Sequence, residues 1–173
     1  VDATNGNDIN NGLSESNAWK TIAKVNSTSF KPNDIIAFRK GEIWEEQLTI
    51  SSSGSLGNPI TLASYGSGPA PIISAGKKRP YCIYGSGKNF IVIDGVSCTE
   101  WINTGICDYQ GNNWIIKNCN VYSGGNDSPP DHGIRVYSAD GSELLTGIEI
   151  KTNTIGTINT KKDDTIGANG ILV

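Results

Sequence analysis

The sequence predicts an all-β solenoid opened by one short capping helix. Three observations carry that prediction. An apolar strand pattern recurs, glycine or asparagine sits where each copy bends, and good helix formers are scarce. Phe90-Ile91-Val92-Ile93-Asp94-Gly95-Val96 is the first clear copy, and Ile115-Ile116-Lys117-Asn118-Cys119-Asn120-Val121 the second. Aligning Ile93 with Ile116 gives a step of 23 residues, and a looser copy around Ile150 follows 34 residues later. A second register runs between them at Gly105-Ile106, Gly133-Ile134 and Gly170-Ile171. One such strand cannot bury its apolar face alone, so successive coils must stack to share a core.

Composition agrees. The chain has 173 residues, enough for one domain with a real core, and contains 21 Gly but no Met. Val, Ile, Thr and aromatic residues in short runs between Gly and Asn turns favour strands over helices. The net charge of −3 argues against a nucleic-acid partner, which would call for a basic stripe. No apolar run is long enough to span a bilayer.

In chain order, Val1–Gly12 reads as a strand start and a turn-rich loop. Asp2, Asn5 and Asp8 supply oxygens that suit Ca²⁺, although the spacing is not that of an EF-hand and Asx turns explain the same residues. Ser14–Asn26 is predicted as the one helix, capped by Ser14, Ser16 or Asn17, with Trp19, Ile22, Ala23 and Asn26 at helical spacing. Residues 1–29 are thus assigned to a strand and a capping helix that covers the open end of the first coil. Residues 30–173 are assigned to coils. Strands are expected at Ile35–Phe38, Leu48–Ile50, Ile60–Tyr65 and Ile72–Ile73.

Several of these segments carry a resemblance. Val1-Asp2 with Gly6-Asn7-Asp8, Gly12-Leu13-Ser14 and Trp19-Lys20-Thr21-Ile22 resembles the opening of bacterial pectate-lyase-like proteins. So do Pro32-Asn33-Asp34-Ile35-Ile36-Ala37-Phe38, Gly57-Asn58-Pro59-Ile60-Thr61-Leu62 and Tyr65-Gly66-Ser67-Gly68-Pro69. Asn33 replaces the usual glycine of a Pro-Gly-Asp turn, a mild change because asparagine tolerates the left-handed region. The resemblance covers roughly residues 1–100 by motif and implies a right-handed parallel β-helix, secreted or at the cell surface, that meets polysaccharide. It is weak for activity, because one scaffold of this kind carries lyases, hydrolases, epimerases and binders.

Asp94-Gly95, Lys117-Asn118 and Thr152-Asn153 are read as equivalent bends. Gly or Asn there suits positive φ, and stacked Asn side chains can bond along the solenoid axis. Lys77-Lys78-Arg79-Pro80 reads as a solvated basic turn. Cys82, Cys98, Cys107 and Cys119 lack zinc or redox spacing. They are either small buried residues or disulfide partners between coils.

The irregular stretch Ser123–Arg135 holds the only histidine and accounts for part of the longer step. Long insertions in solenoids are loops where function tends to sit. If Ile134 points inward, Arg135 points outward and is the better placed to touch a ligand. The resemblance implies β-elimination on an acidic polysaccharide, with a Lys or Arg base and often Ca²⁺ on an exposed sheet. The candidate catalytic residues are Arg135, His132, Asp131 and Lys117. Asp127, Lys151, Trp101 and Tyr109 are the candidate substrate contacts. Glycoside hydrolysis would instead need two facing carboxylates, for which Asp94, Asp108 and Asp140 are available. A non-catalytic carbohydrate-binding or filament-forming module is the third reading, with Trp101, Tyr109, Trp114 and Tyr122 as sugar-stacking rings. Gly170-Ile171-Leu172-Val173 is expected to leave an open coil edge, met by further coils or by self-association.

Overall fold

Each apolar run is too short to close a core and is cut by a residue at positive φ, so the chain turns, runs a second strand, turns again and returns one layer higher. The computed structural model describes residues 1–125, 131–138, 144–156 and 169–172. The first coil is β1 (Ile35–Arg39), β2 (Ile43–Trp44) and β3 (Leu48–Thr49); the second is β4 (Ile60–Tyr65), β5 (Ile72–Ser74) and β6 (Tyr81–Ser86). The third is β7 (Ile91–Asp94), β8 (Ser97–Thr99) and β9 (Thr104–Tyr109); the fourth is β10 (Trp114–Lys117), β11 (Asn120–Tyr122) and β12 (His132–Tyr137). β13 (Glu149–Lys151), β14 (Thr154–Ile155) and β15 (Asn169–Leu172) follow. Every third strand pairs in parallel, giving three five-stranded sheets: β1-β4-β7-β10-β13, β2-β5-β8-β11-β14 and β3-β6-β9-β12-β15. This is a parallel β-solenoid with one short α-helix.

The repeat read from the sequence is the register of the first sheet. Ile36, Leu62, Ile93, Ile116 and Ile150 are successive partners in one inward column. The second sheet contributes Trp44, Ile73, Cys98, Val121 and Ile155. The third contributes Leu48, Ile83, Ile106, Ile134 and Ile171. All but the members at the growing end, Ile150, Ile155 and Ile171, are buried. A fully buried Ile or Leu contributes about 1.5–3 kcal/mol, so these columns hold the coils together. Cys82, Cys98, Cys107 and Cys119 are free thiols and all buried, which selects the small-hydrophobe reading over disulfides.

The bends show the expected backbone with one change. Gly95 (φ 72°), Asn118 (φ 53°) and Thr152 (φ 54°) take the left-handed positions. The third copy therefore bends at Thr152 and not at Asn153. Their side chains bond along the axis: Asn118 Nδ2 donates to Asp94 Oδ1 at 2.7 Å, and Thr152 Oγ1 to Asn118 Oδ1 at 2.7 Å. Asn153 instead braces the inner side, accepting from the Cys119 N–H at 2.9 Å and donating to the Ile116 carbonyl at 2.9 Å.

The cap differs from the single helix expected over Ser14–Asn26. A 3₁₀ turn spans Glu15–Asn17, and the α-helix α1 spans only Ile22–Asn26, capped by Thr21 Oγ1 accepting from the Lys24 N–H. Residues between them are extended because the opening loop claims their backbone. The Asp2 N–H donates to the Trp19 carbonyl at 2.8 Å, and Asp8 Oδ1 accepts from the N–H groups of Lys20 and Thr21 at 2.8 and 3.0 Å. Ile22 and Val25 are fully buried against the first coil, as a cap requires. Among the described residues, no helix is long and apolar enough to cross a membrane.

Candidate functional site

The outer face of the third sheet gathers the most unusual surface of the described residues. Its register sets Tyr81, Thr104 and His132 side by side, then Tyr84, Cys107 and Arg135, then Ser86, Tyr109 and Tyr137. Ile83, Ile106 and Ile134 are fully buried, so by alternation Tyr84, Cys107 and Arg135, and then Ser86, Tyr109 and Tyr137, turn away from the core, whereas Thr104 and His132 at the strand starts are buried. Tyr81 and Tyr84 stack at 4.8 Å with rings 15° from parallel. Tyr109 and Tyr137 meet edge to face at 5.1 Å. The Arg135 guanidinium carbon lies 3.8 Å from the centre of the Tyr137 ring, a cation–π contact that holds the side chain against the sheet. These four tyrosines and Arg135 are all half-buried, each presenting part of its side chain to solvent.

Burial sets the electrostatics of this face. It pushes the Tyr81 phenol up to about 12, with the neighbouring Cys107 and tyrosines adding to the shift. Cys107 is also pushed up to about 12 by burial, against the pull of Arg135, and stays a thiol. His132 is lowered below its usual value, first by burial and then by the Arg135 charge, so its imidazole is neutral at pH 7. Both His132 nitrogens and Arg135 Nε are buried without a hydrogen-bond partner among the described residues. A neutral imidazole has one donor and one acceptor nitrogen, and leaving such buried polar atoms unpaired is costly.

The residues singled out in the sequence fall in different places. Arg135 is outward-facing as expected, and His132 lies on the same strand but is 2% exposed. Asp131 is buried immediately before β12. Tyr109 is on the same face. Lys117 and Lys151 are not part of this cluster: they stand on the first sheet, where Lys117 pairs with Asp94 at 3.2 Å and Lys151 with Glu149 at 2.5 Å. The structure therefore separates Lys117 from Arg135 as catalytic partners, because β10 and β12 belong to different sheets. Trp101 is a correction: it is fully buried, packed over Gly124 inside the turn, and offers no ring to a sugar. Trp114 is buried too, with its Nε1 donating to the Lys88 carbonyl at 2.6 Å. Asp127 and Asp140 lie outside the described residues. Of the other carboxylates considered, Asp108 is fully buried.

The opening loop does not fit calcium. Asp2 Oδ1 accepts from the N–H groups of Thr4 and Asn5 at 3.0 and 2.7 Å, and its Oδ2 meets the Arg39 guanidinium at 2.5 Å. Asp8 Oδ2 accepts from Thr21 Oγ1 at 2.7 Å. Burial pushes the Asp2 carboxyl up, but the bonds from Asn5 and Arg39 outweigh it and hold it below the usual carboxylate range. The same balance, with Thr21 and Lys20 as donors, lowers Asp8. Asp2 is thus an Asx-turn acceptor whose other oxygen is taken by the Arg39 guanidinium, and Asp8 is a long-range acceptor that ties the loop to Lys20 and Thr21.

Sequence reasoning missed Tyr81, Tyr84 and Tyr137. A signal was present: Ile106-Cys107-Asp108-Tyr109 and Ile134-Arg135-Val136-Tyr137 share an isoleucine followed three places later by tyrosine. Stacked in register, that pair makes an aromatic column.

No family model matches the sequence. A lacto-N-biosidase of Bifidobacterium longum is 29% identical over 122 residues, covering 68% of this chain and 6% of that protein. The solved GH136 lacto-N-biosidase from Eubacterium ramulus shares the fold with a TM-score of 0.75 at 13% identity, over 90% of this chain and 33% of that one. Pectate lyase Pel9A gives a TM-score of 0.55 at 16% identity, over 98% of this chain and 56% of that one. The chain thus spans only a part of the length of each, and what it shares with the solved structures is the parallel β-helix itself.

Proposed function

We propose that this chain is a stretch of an extracellular carbohydrate-active β-helix protein, and that it binds a polysaccharide on the outer face of the third sheet. The observation that carries this reading is the convergence of Tyr81, Tyr84, Tyr109 and Tyr137 around Arg135, from strands that are distant in sequence and adjacent in space. Ring faces offer large apolar contact to the C–H faces of sugars at low cost in side-chain entropy, and phenol groups bond to hydroxyls. The guanidinium adds a fork of donors that matches a carboxylate. An acidic glycan uses both.

The reaction this face favours is β-elimination at a uronate. A base takes the proton α to the carboxylate, that C–H electron pair becomes the new C=C bond, and the C–O bond at the β carbon breaks as its oxygen is protonated. Negative charge builds on the carboxylate meanwhile, and a fixed cation stabilises it more in the transition state than in the ground state. Arg135 takes that role, held in place by the Tyr137 ring. Glycoside hydrolysis is the second reading, favoured by the likeness in sequence and fold to lacto-N-biosidases. It needs two carboxylates flanking the bond. Among the described residues of this face, none of the outward columns holds an Asp or Glu.

The test is binding and turnover on a panel of acidic and neutral oligosaccharides, using the parent, Tyr137→Ala and Arg135→Ala. Stacking predicts that Tyr137→Ala weakens binding by about tenfold, corresponding to about 1–1.5 kcal/mol. Arg135→Ala should selectively lose acidic ligands. Ultraviolet-absorbing products mark elimination, and saturated reducing ends mark hydrolysis. Variants that bind every glycan as the parent does would place the ligand elsewhere.

A further inference from the structure

The outer face of the second sheet carries a groove of its own. The inward column of that sheet runs through Ile73, Cys98, Val121 and Ile155, so by alternation the residues on either side of each face outward. One outward column is Ile72, Ser97, Asn120 and Thr154, in register from strand to strand. The other is Ser74, Thr99 and Tyr122, with Gly156 beside Tyr122. The segment ahead of β5 is fixed next to them. The Pro69 carbonyl accepts from the Gly41 N–H at 2.8 Å, and the Pro71 carbonyl from the Ser97 N–H at 2.8 Å. The space so formed is a groove of about 290 Å³, lined among others by Pro69, Ala70, Ser97, Asn120, Tyr122 and Thr154.

Three features distinguish this groove from a plain solvated sheet face. None of the described residues lining it is charged, whereas the other two outer faces carry Arg135 and the pair of Lys117 with Asp94. The side chains of Asn120, Tyr122 and Thr154 make no hydrogen bond among the described residues. That differs from Asn112, Asn118 and Asn153, whose amides all bond between coils. Asn120 and Thr154 are exposed, Tyr122 is half-buried, and Ser97 lies buried at the floor. Finally, Gly156 keeps Tyr122 uncrowded, since a Cβ there would stand 2.7 Å from the Tyr122 Cβ.

We propose that this groove binds a neutral glycan, with the chain running along the solenoid axis across β8, β11 and β14. The Tyr122 ring offers apolar contact to the C–H face of a sugar. The Asn120 amide donates to one hydroxyl and accepts from its neighbour, and the Thr154 hydroxyl meets the next ring. Neighbouring strands lie about 4.8 Å apart, so each coil meets one successive ring of an extended chain. A uronate gains no counter-ion here. An extended peptide gains no strand edge, because β8 and β11 are each paired on both sides. The proposal rests on the reading of this chain as carbohydrate-binding, but its place and its ligand differ from those of the Arg135 face.

NMR titration of the isotope-labelled protein tests this, with neutral hexasaccharides of glucose, galactose and mannose and with a hexasaccharide of galacturonate. At least one neutral sugar should shift the amide signals of Ser97, Asn120 and Tyr122. Asn120→Ala, which removes an exposed side chain with no bond to the protein, should weaken that sugar by about fivefold, and Tyr122→Ala by about tenfold. Arg135→Ala should keep this neutral binding and lose galacturonate; galacturonate binding that survives in that variant counts against the third-sheet site alone. Neutral sugars that shift only third-sheet signals, that bind Asn120→Ala and Tyr122→Ala as they bind the parent, or that bind nowhere would overturn the proposal. So would second-sheet signals that shift with protein concentration and not with sugar, since that outcome would assign the groove to a second copy.

Discussion

Replacing Asp108 by asparagine should remove most of the dependence of stability on pH between about 4 and 8. Asp108 is fully buried in β9, with the Trp114 ring packed across the neighbouring Gly85. Its Oδ2 accepts from the Gly111 N–H at 3.1 Å, while Oδ1 has no partner among the described residues. Burial pushes its pKa up to about 7 from 3.8, against the pull of the Gly111 and Tyr109 N–H groups. The folded state thus holds a proton that the unfolded state has released. Stability from that proton is fully present below pH 3.8 and is lost as pH rises through 7. A shift of about 3 units corresponds to about 4 kcal/mol. Relaxation and water entry around a buried charge reduce this, and we expect about 2–4 kcal/mol. Urea unfolding of parent and Asp108→Asn across pH 4–8 measures it. Asparagine keeps an oxygen for the Gly111 N–H and cannot ionise. His132, whose lowered pKa works in the opposite sense below pH 6.5, is present in both proteins and cancels in the difference. The two proteins should differ least at pH 4, and the variant should gain on the parent toward pH 8. A difference in stability that stays flat across this range would refute the reasoning, because it would mean that Asp108 ionises freely in the folded protein.

Three further outcomes follow from the packing. Gly124→Ala would put a Cβ 2.0 Å from the Trp101 ring, and thermal unfolding should show a loss of about 3 kcal/mol or failure to fold. Thr152→Asn should raise stability by about 0.5–1 kcal/mol in urea unfolding, since asparagine accepts the left-handed backbone more easily than a β-branched residue and can extend the bonds of Asp94 and Asn118. Cys82, Cys98, Cys107 and Cys119 are buried, so the native protein should react slowly with a thiol reagent and the denatured protein should titrate all four.

The repeat was legible because burial enforces it. Ile93, Ile116 and Ile150 are neighbours in one column, and Ile106, Ile134 and Ile171 in another, as the spacing of their copies predicts. What the sequence hid depends on contacts between segments. Residues 18–21 have helical-looking spacing, yet the opening loop captures their backbone and splits the helix. Thr152 carries no local sign of a left-handed bend; the stacking of coils sets it there. Trp101 reads as a surface ring, but it sits where Gly124, with no side chain, leaves room for it. Tyr81 and Tyr84 lie on β6, a strand without the Gly-Ile pair that marks β9, β12 and β15, so the column of aromatic residues was visible only in its last two coils.

The position of the added residues also bears on where a ligand sits. The step along the first sheet grows from 23 residues between Ile93 and Ile116 to 34 between Ile116 and Ile150. The corner between the first and second sheets does not lengthen: Lys117 is followed by Asn120 at the start of β11 much as Lys151 is followed by Thr154 at the start of β14. The extra chain falls instead in the two segments that flank β12, one after Tyr122 and one after Tyr137. A solenoid tolerates insertions at its turns because each strand keeps its register through the columns on either side. Both insertions bracket the strand that carries His132, Arg135 and Tyr137. The first sheet, with Lys117 and Lys151 tied in ion pairs, gains nothing comparable at its bend to the second sheet. Chain length and side-chain chemistry therefore point to the same face.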